Sequence, residues 1–194
     1  ALPILIEGLK RLEYRGYDSA GLVVLNGHGL QVRKAVGCIA ALEGKVLAEP
    51  DPQILRGTLG VAHTRWATHG APTEVNAHPH LDTQQRIAVV HNGIIENHSA
   101  LRQFLEQVGV VFTSQTDTEV LGHLIAYHMY GNPHAATDSL AGGLIPSGPL
   151  PAAELPIGPK PTVPRLSLLD AVLATLAEVV GTFGMVVLSL DDPG

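Results

Sequence analysis

Short apolar segments of two kinds are mixed along this chain, and this mixture restricts its fold more than any other feature. Apolar residues at helical spacing predict helices that begin near Leu2, Leu101, Thr116 and Ser167. Strand patterns occupy residues 21–26, 30–36, 58–64, 87–92 and 183–190. Because helices and strands do not alternate strictly, we predict an α+β fold with helices packed on a mostly antiparallel sheet.

Local signals refine several of these elements. The first two strands flank a Gly-His-Gly turn at 27–29 and predict a hairpin. Thr116 and Glu119 have the spacing of a capping box, and Ser167 is a candidate N-cap of the last helix. Gly131 is expected to end the helix that begins near Thr116.

The chain has 194 residues, enough for one sizeable core, so we predict a single domain over 1–194. Residues 131–166 are rich in proline and glycine and follow neither the helical nor the strand period. We therefore expect a surface insertion there. The apolar stretch at 171–190 is interrupted by Glu178 and two glycines, which favours a buried helix followed by a strand over a membrane span.

Charge and cysteine content narrow the class of protein. The formal net charge of −6 argues against nucleic acid or an anionic membrane as a partner. The single cysteine, Cys38, excludes an internal disulfide framework and a thiolate metal cluster. No signal or transit sequence opens the chain, and Ala1 is not expected to be the translated start. Together these features predict a cytoplasmic protein.

Four polar clusters could carry chemistry, at residues 14–21, 63–70, 91–97 and 114–119. Each alone has an ordinary structural interpretation. Arg15 and Asp18 could form a surface ion pair, and Asp117 could simply favour a helix N-terminus. Taken together, the clusters offer an arginine for a carboxylate, an aspartate for an ammonium, and an Asn-Gly pair for an oxyanion. This combination predicts a pocket for an α-amino acid undergoing acyl transfer, but it reveals no nucleophile.

Five motifs carry a family resemblance: YRGYDSAG at 14–21, HTRWATHG at 63–70, NAHPH at 76–80, HNGIIEN at 91–97 and TDTE at 116–119. In this order they resemble the N-terminal glutaminase domain of the glutamine–fructose-6-phosphate aminotransferases. The resemblance extends from Leu2 to about Tyr130 and resumes at the last helix and strand. The related amidophosphoribosyltransferases share the fold but usually have tyrosine in place of Trp66, so the sugar-phosphate branch is preferred.

The resemblance implies a four-layer αββα sandwich of the N-terminal-nucleophile hydrolase type, acting without a cofactor. In this family an N-terminal cysteine attacks the side-chain amide of glutamine, and its own α-amine acts as the base. Ammonia then passes to fructose 6-phosphate in a separate isomerase domain and gives glucosamine 6-phosphate. That domain is absent from this chain, and the full-length protein is expected to form a homodimer.

The resemblance also implies how glutamine is held. Arg65 would bind the α-carboxylate with help from Thr68 and His69 on the same loop. Trp66 would belong to the loop that closes over glutamine. Asp117 would bind the α-ammonium group.

The remaining implied roles concern the reacting amide. The side chain of Asn92 and the backbone N–H of Gly93 would form the oxyanion hole, and the Gly93 carbonyl would be a second acceptor for the ammonium. Arg15 would lie near the nucleophile and orient the N-terminus. His78 would support the loop, without a role in proton transfer.

The chain departs from the family at its start, because the CGIVG segment expected upstream of Ala1 is not in the sequence. Cys38 cannot replace the missing nucleophile, since it lies inside the chain and has no α-amine; it is interpreted as a small hydrophobe or a surface thiol. The chain as given is therefore expected to be inactive. An N-terminus left out or removed is favoured over a degenerate glutaminase.

Two alternatives stay open at this point. His78, His80 and Asp82 form an H-x-H-x-D pattern that suits zinc in a hydrolase, although Thr83 follows where a further histidine would be expected. The second alternative is a catalytically dead domain that binds glutamine and regulates a partner.

Overall fold

The computed structural model describes residues 1–68, 70–131 and 166–192, and its strands form two antiparallel sheets of three strands each. The first sheet has the order β2-β1-β3, with β1 (Ser19–Asn26) between β2 (Gly29–Val36) and β3 (Leu59–Arg65). The predicted hairpin is confirmed, because Asn26 pairs with Gly29 at its turn.

The second sheet has the order β4-β5-β6, with β5 (Ile87–Ile95) in the middle. Its neighbours are β4 (His80–Leu81) and β6 (Gly181–Ser189). Gly93 of β5 pairs with Phe183 of β6. The predicted strands at 58–64, 87–92 and 183–190 are confirmed with small shifts at their ends, whereas the two-residue β4 was not predicted.

Five α-helices accompany the sheets in the described part of the chain: α1 (Leu2–Leu12), α2 (Ile39–Leu47), α3 (His98–Gln107), α4 (Thr118–Tyr130) and α5 (Leu168–Glu178). None of them is both long and apolar enough to cross a membrane. All except α2 were predicted. Ser167 caps α5 as expected, because its hydroxyl accepts from the Asp170 N–H at 3.1 Å.

The capping-box prediction for α4 is wrong. The helix begins one residue after its N-cap Asp117, and its cap has no side-chain hydrogen bond. The Thr116 hydroxyl instead lies 3.0 Å from His80 Nε2, and the Glu119 carboxylate accepts bonds from the segment before the helix. The predicted insertion at 131–166 lies outside the described residues except for Gly131 and Leu166.

Alternation along the strands divides the core into three apolar clusters. Leu22 and Val24 of β1 pack with α1 and α2, whereas Val23 points the other way and packs with Ala88 and Leu188 of the second sheet. Across the second sheet, β5 packs on α3, α4 and α5; the buried members include Ile87, Val89, Leu121, Leu124 and Ile125. One cluster therefore joins the first sheet to α1 and α2, a second joins the second sheet to α3, α4 and α5, and the third contains residues of both sheets.

Candidate active site

The ends of β3 and β5 and the start of α4 surround a cavity of about 520 Å³, within the size range of small-molecule sites. Seven of the predicted site residues line it: Arg15, Arg65, Trp66, Thr68, Asn92, Gly93 and Asp117. His69 lies outside the described residues. Segments widely separated in the chain thus supply a single concave surface, and both arginines and the one carboxylate predicted for the site face it.

Arg65 forms the buried cationic wall of this cavity. It is the last residue of β3 and is only 4% exposed. Its guanidinium lies 3.6 Å from the Asp18 carboxylate and donates to the Gly70 carbonyl at 3.3 Å. Asp18 therefore forms its ion pair with Arg65. The sequence had suggested Arg15 as the partner of Asp18 instead. The contacts with Asp18 and Gly70 hold the guanidinium of a residue that lines the cavity.

The loop that follows Arg65 forms the mouth of the cavity. The Trp66 side chain is 75% exposed and Thr68 is exposed as well. The N–H of Ala67 donates to the Asp18 carboxylate, so the same acid anchors both the arginine and the start of the loop. An exposed indole beside an open cavity is suited to cover a bound molecule.

Gly93 occupies a position on β5 that no other residue fits. Its φ is +132°, and a Cβ there would lie 2.0 Å from the Thr182 carbonyl oxygen of β6. The backbone conformation next to Asn92 therefore depends on glycine. This explains the Asn-Gly sequence at the edge of the cavity without reference to any reaction.

Asp117 forms the anionic wall. It is 4% exposed, lies directly before α4, and accepts from the Ile95 N–H at 2.9 Å. The contact ties the start of α4 to the end of β5. A buried carboxylate and a buried guanidinium that line the same cavity give it one site for a cation and one for an anion.

The segment before Asp117 is held by the buried carboxylate of Glu119. Its oxygens accept from the backbone N–H and the hydroxyl of both Thr113 and Ser114, at 2.6 to 2.8 Å. Burial raises the pKa of Glu119, but the bonds from His123, Ser114 and Thr113 outweigh burial and keep the pKa below its usual value. Glu119 is therefore an ionised anchor for the loop.

Buried histidines complete the cavity wall. His63, His78 and His91 line it, and the His63 and His78 rings lie 4.4 Å apart. Burial lowers the pKa of all three, so the rings are neutral at pH 7. The sequence prediction placed these residues in its motifs but gave His63 and His91 no role. The strand period contained the signal, because His63 and Arg65 are two residues apart and so share one face of β3.

The H-x-H-x-D pattern serves other contacts. His80 contacts Thr116, and the Asp82 carboxylate accepts from the N–H groups of Gln84, Arg86 and Ile87. Within the described residues, no group of three or more His, Cys, Asp or Glu side chains is arranged to hold a metal ion. The described side chains thus give the zinc alternative no support.

Comparisons with known proteins agree with this geometry. The family model described as "Glutamine amidotransferase domain" matches residues 50–143. Over 138 residues the chain is 61% identical to the isomerizing glutamine–fructose-6-phosphate aminotransferase of Pseudomonas putida, which covers 71% of this chain and 22% of that relative. The protein of the same name from Methanosarcina acetivorans is 43% identical over 196 residues, and the match covers 100% of this chain and 26% of that relative.

A solved structure shows the same fold. Glutamine phosphoribosylpyrophosphate amidotransferase from B. subtilis, complexed with ADP and GMP, matches with a TM-score of 0.63 and 24% identity. The match covers 97% of this chain and 32% of that chain. The fold is therefore that of the N-terminal-nucleophile hydrolases. The chain belongs to the glutamine amidotransferase family, and it spans only 22% and 26% of the two curated relatives named above.

Proposed function

We propose that this chain is the glutamine-hydrolysing part of an isomerizing glutamine–fructose-6-phosphate aminotransferase. One observation carries the proposal: Arg65 and Asp117, each 4% exposed, line the same cavity as the Asn92–Gly93 pair. A free α-amino acid has a carboxylate and an ammonium group at one end, and its side chain extends away from both. The cavity offers a partner for each charge and leaves Asn92 and Gly93 for the side-chain amide.

In this proposal Arg65 binds the α-carboxylate, with help from Thr68 and His69. A planar guanidinium forms two parallel, charge-assisted hydrogen bonds with a carboxylate, which lysine cannot do. Asp117 and the Gly93 carbonyl accept from the α-ammonium. Trp66 closes over the bound molecule and excludes water from the reacting amide.

Asn92 and the Gly93 N–H donate to the oxygen of the amide as it becomes an oxyanion. The attacking group is the thiol of an N-terminal cysteine that is not among the 194 residues, and Arg15 lies at the cavity edge to orient that terminus. Attack breaks the carbon–nitrogen bond and releases ammonia, and water then hydrolyses the thioester to glutamate. Cys38 is exposed at the start of α2 and does not line the cavity.

The names of the relatives support fructose 6-phosphate as the acceptor of the ammonia, and the separate domain that binds it and the homodimer follow from the motif resemblance alone. Ammonia passes to fructose 6-phosphate, bound by a domain outside this chain, and the full-length protein is a cytoplasmic homodimer. The four-layer αββα order of the domain is also part of the proposal, and the three separate apolar clusters support it.

The test compares two reactions of the full-length product of the gene that encodes this chain. Arg65→Ala is expected to raise the glutamine KM by on the order of 10²-fold, because two charge-assisted bonds are lost. Synthesis of the amino sugar from supplied ammonia should continue at the wild-type rate. Arg11→Ala is the matched control, since that side chain is 78% exposed and does not line the cavity. An equal loss of both reactions in Arg65→Ala would show that Arg65 is only structural.

A second measurement separates an enzyme from a regulatory glutamine-binding domain. The glutamine analogue 6-diazo-5-oxo-norleucine should alkylate the N-terminal cysteine of the full-length product once, with loss of N₂, so the mass of the protein should rise by that of the analogue less N₂. If glutamine binds but no label is incorporated, the regulatory alternative is correct.

A further inference from the structure

His63 and Asn92 meet across the boundary between the two sheets. His63 belongs to β3 and Asn92 to β5, and His63 Nε2 lies 3.0 Å from Asn92 Oδ1. His63 is buried, whereas the Asn92 side chain is exposed to the cavity that both residues line. The contact therefore connects a buried ring with the side chain assigned to the oxyanion hole.

The chemistry of the two groups gives this hydrogen bond a direction. An amide oxygen only accepts, so His63 Nε2 carries the proton and donates. Burial lowers the pKa of His63 and outweighs the hydrogen bond to Asn92, which raises it, so the ring holds one proton at pH 7. The bond places that proton on Nε2, and Nδ1 is left as a buried atom with no hydrogen-bond partner among the described residues. With Oδ1 of Asn92 occupied, its Nδ2 amide group is the part that can donate into the cavity.

Packing holds the ring in this orientation. The His78 ring lies 4.4 Å from the His63 ring, at an interplanar angle of 34°. The backbone of His78 in turn lies against Gly21, the residue paired with His63 across the first sheet. A Cβ on Gly21 would lie 2.1 Å from the His78 carbonyl oxygen. The contacts therefore run in order from Gly21 through His78 and His63 to Asn92.

We propose that His63 is a positioning residue that fixes the Asn92 amide with Nδ2, and not Oδ1, directed at the reacting carbonyl oxygen. The inference rests on the proposed function, because it requires Asn92 to be an oxyanion donor. An asparagine amide rotated by half a turn presents its oxygen instead, which repels a developing negative charge. Without the bond from His63, the two orientations compete, and the donor is no longer preorganised for the transition state.

The test uses the full-length gene product and measures glutamine hydrolysis and ammonia-dependent synthesis in parallel. His63→Leu is expected to lower kcat for glutamine by about 10-fold, with KM changed by less than about 2-fold, since the donor acts in the transition state only. His63→Gln should recover most of kcat, because a glutamine amide can place an N–H near the position of Nε2. His63→Asn keeps polarity without that reach and should behave like His63→Leu, so a folding failure of the leucine variant leaves the test intact.

A double-mutant cycle distinguishes positioning from general support of the fold. In an Asn92→Ala background, His63→Leu should cause no further loss of kcat, because its only target is already gone. Losses that multiply in the double variant, or a KM that rises with unchanged kcat, would overturn the inference. If Asn92→Ala alone leaves kcat unchanged, the oxyanion assignment in the proposed function fails. If Asn92→Ala lowers kcat but His63→Leu does not, only the role of His63 fails.

Discussion

Replacement of Gly21 by alanine tests the close approach on which the cavity wall depends. Gly21 lies in the middle strand of the first sheet, paired with Lys34 on one side and His63 on the other. An added methyl group would lie 2.1 Å from the His78 carbonyl oxygen and 3.0 Å from that of Arg33. Both atoms belong to the backbone, so no flexible side chain can move aside.

The magnitude follows from how far the backbone must move. Real Cβ atoms essentially never approach another heavy atom within 3.0 Å, so about 1 Å must open between β1 and His78. Overpacking of a filled core typically costs about 1–3 kcal/mol, and two rigid contacts favour the upper end of that range. For a domain of this size, a loss of about 3 kcal/mol corresponds to a fall in Tm of roughly 6–12 °C.

Urea and thermal unfolding of the purified domain measure this cost, with Gly44→Ala as the control. Gly44 lies inside α2, and a Cβ there meets nothing within 4 Å. Alanine should therefore stabilise the domain at Gly44, by about 0.5–1 kcal/mol, because it favours the helix. If Gly21→Ala unfolds at the same urea concentration as the wild type, the close packing of His78 on β1 is refuted.

Two further predictions concern buried ionisable groups. Glu119→Gln should lower the free energy of unfolding by about 2–4 kcal/mol, because an amide cannot accept all four hydrogen bonds from Thr113 and Ser114. An unchanged midpoint of urea unfolding would contradict this role of Glu119. Burial, together with the charge of Lys34, lowers the pKa of His80 to about 3. Below pH 6.5 the unfolded chain binds a proton that the folded protein does not, so this histidine should remove about 2 kcal/mol of stability between pH 6.5 and 5. The His80→Gln variant should lose correspondingly less stability than the wild type between pH 6.5 and 5, as measured by urea unfolding at each pH. If the two proteins show the same pH dependence, His80 does not titrate as described.

The sequence was sufficient where local pattern decides structure. The strand that ends at Arg65 and the strand that carries Asn92 both show continuous apolar runs followed by polar residues, and both form. Helix α2 escaped prediction because its nine residues include Ala40, Ala41 and Gly44, which obscure the helical period of its apolar residues. β4 is too short to show a period.

Contacts between distant segments could not be predicted from local pattern. Thr116 has the spacing of a capping residue, but its hydroxyl contacts His80, 36 positions away in the chain. The His63–Asn92 bond joins strands of different sheets. Motif resemblance named seven of the residues that line the cavity, whereas the partners that orient those residues required three-dimensional coordinates.

Trp66 gives the domain a built-in optical probe. It is the single tryptophan of the chain, and its indole is 75% exposed at the cavity mouth. Emission from the isolated domain therefore reports on one place only, so transfer of this ring from water into a covered environment would appear as a blue shift without any label. Titration with amino acids could then follow loop closure separately from catalysis.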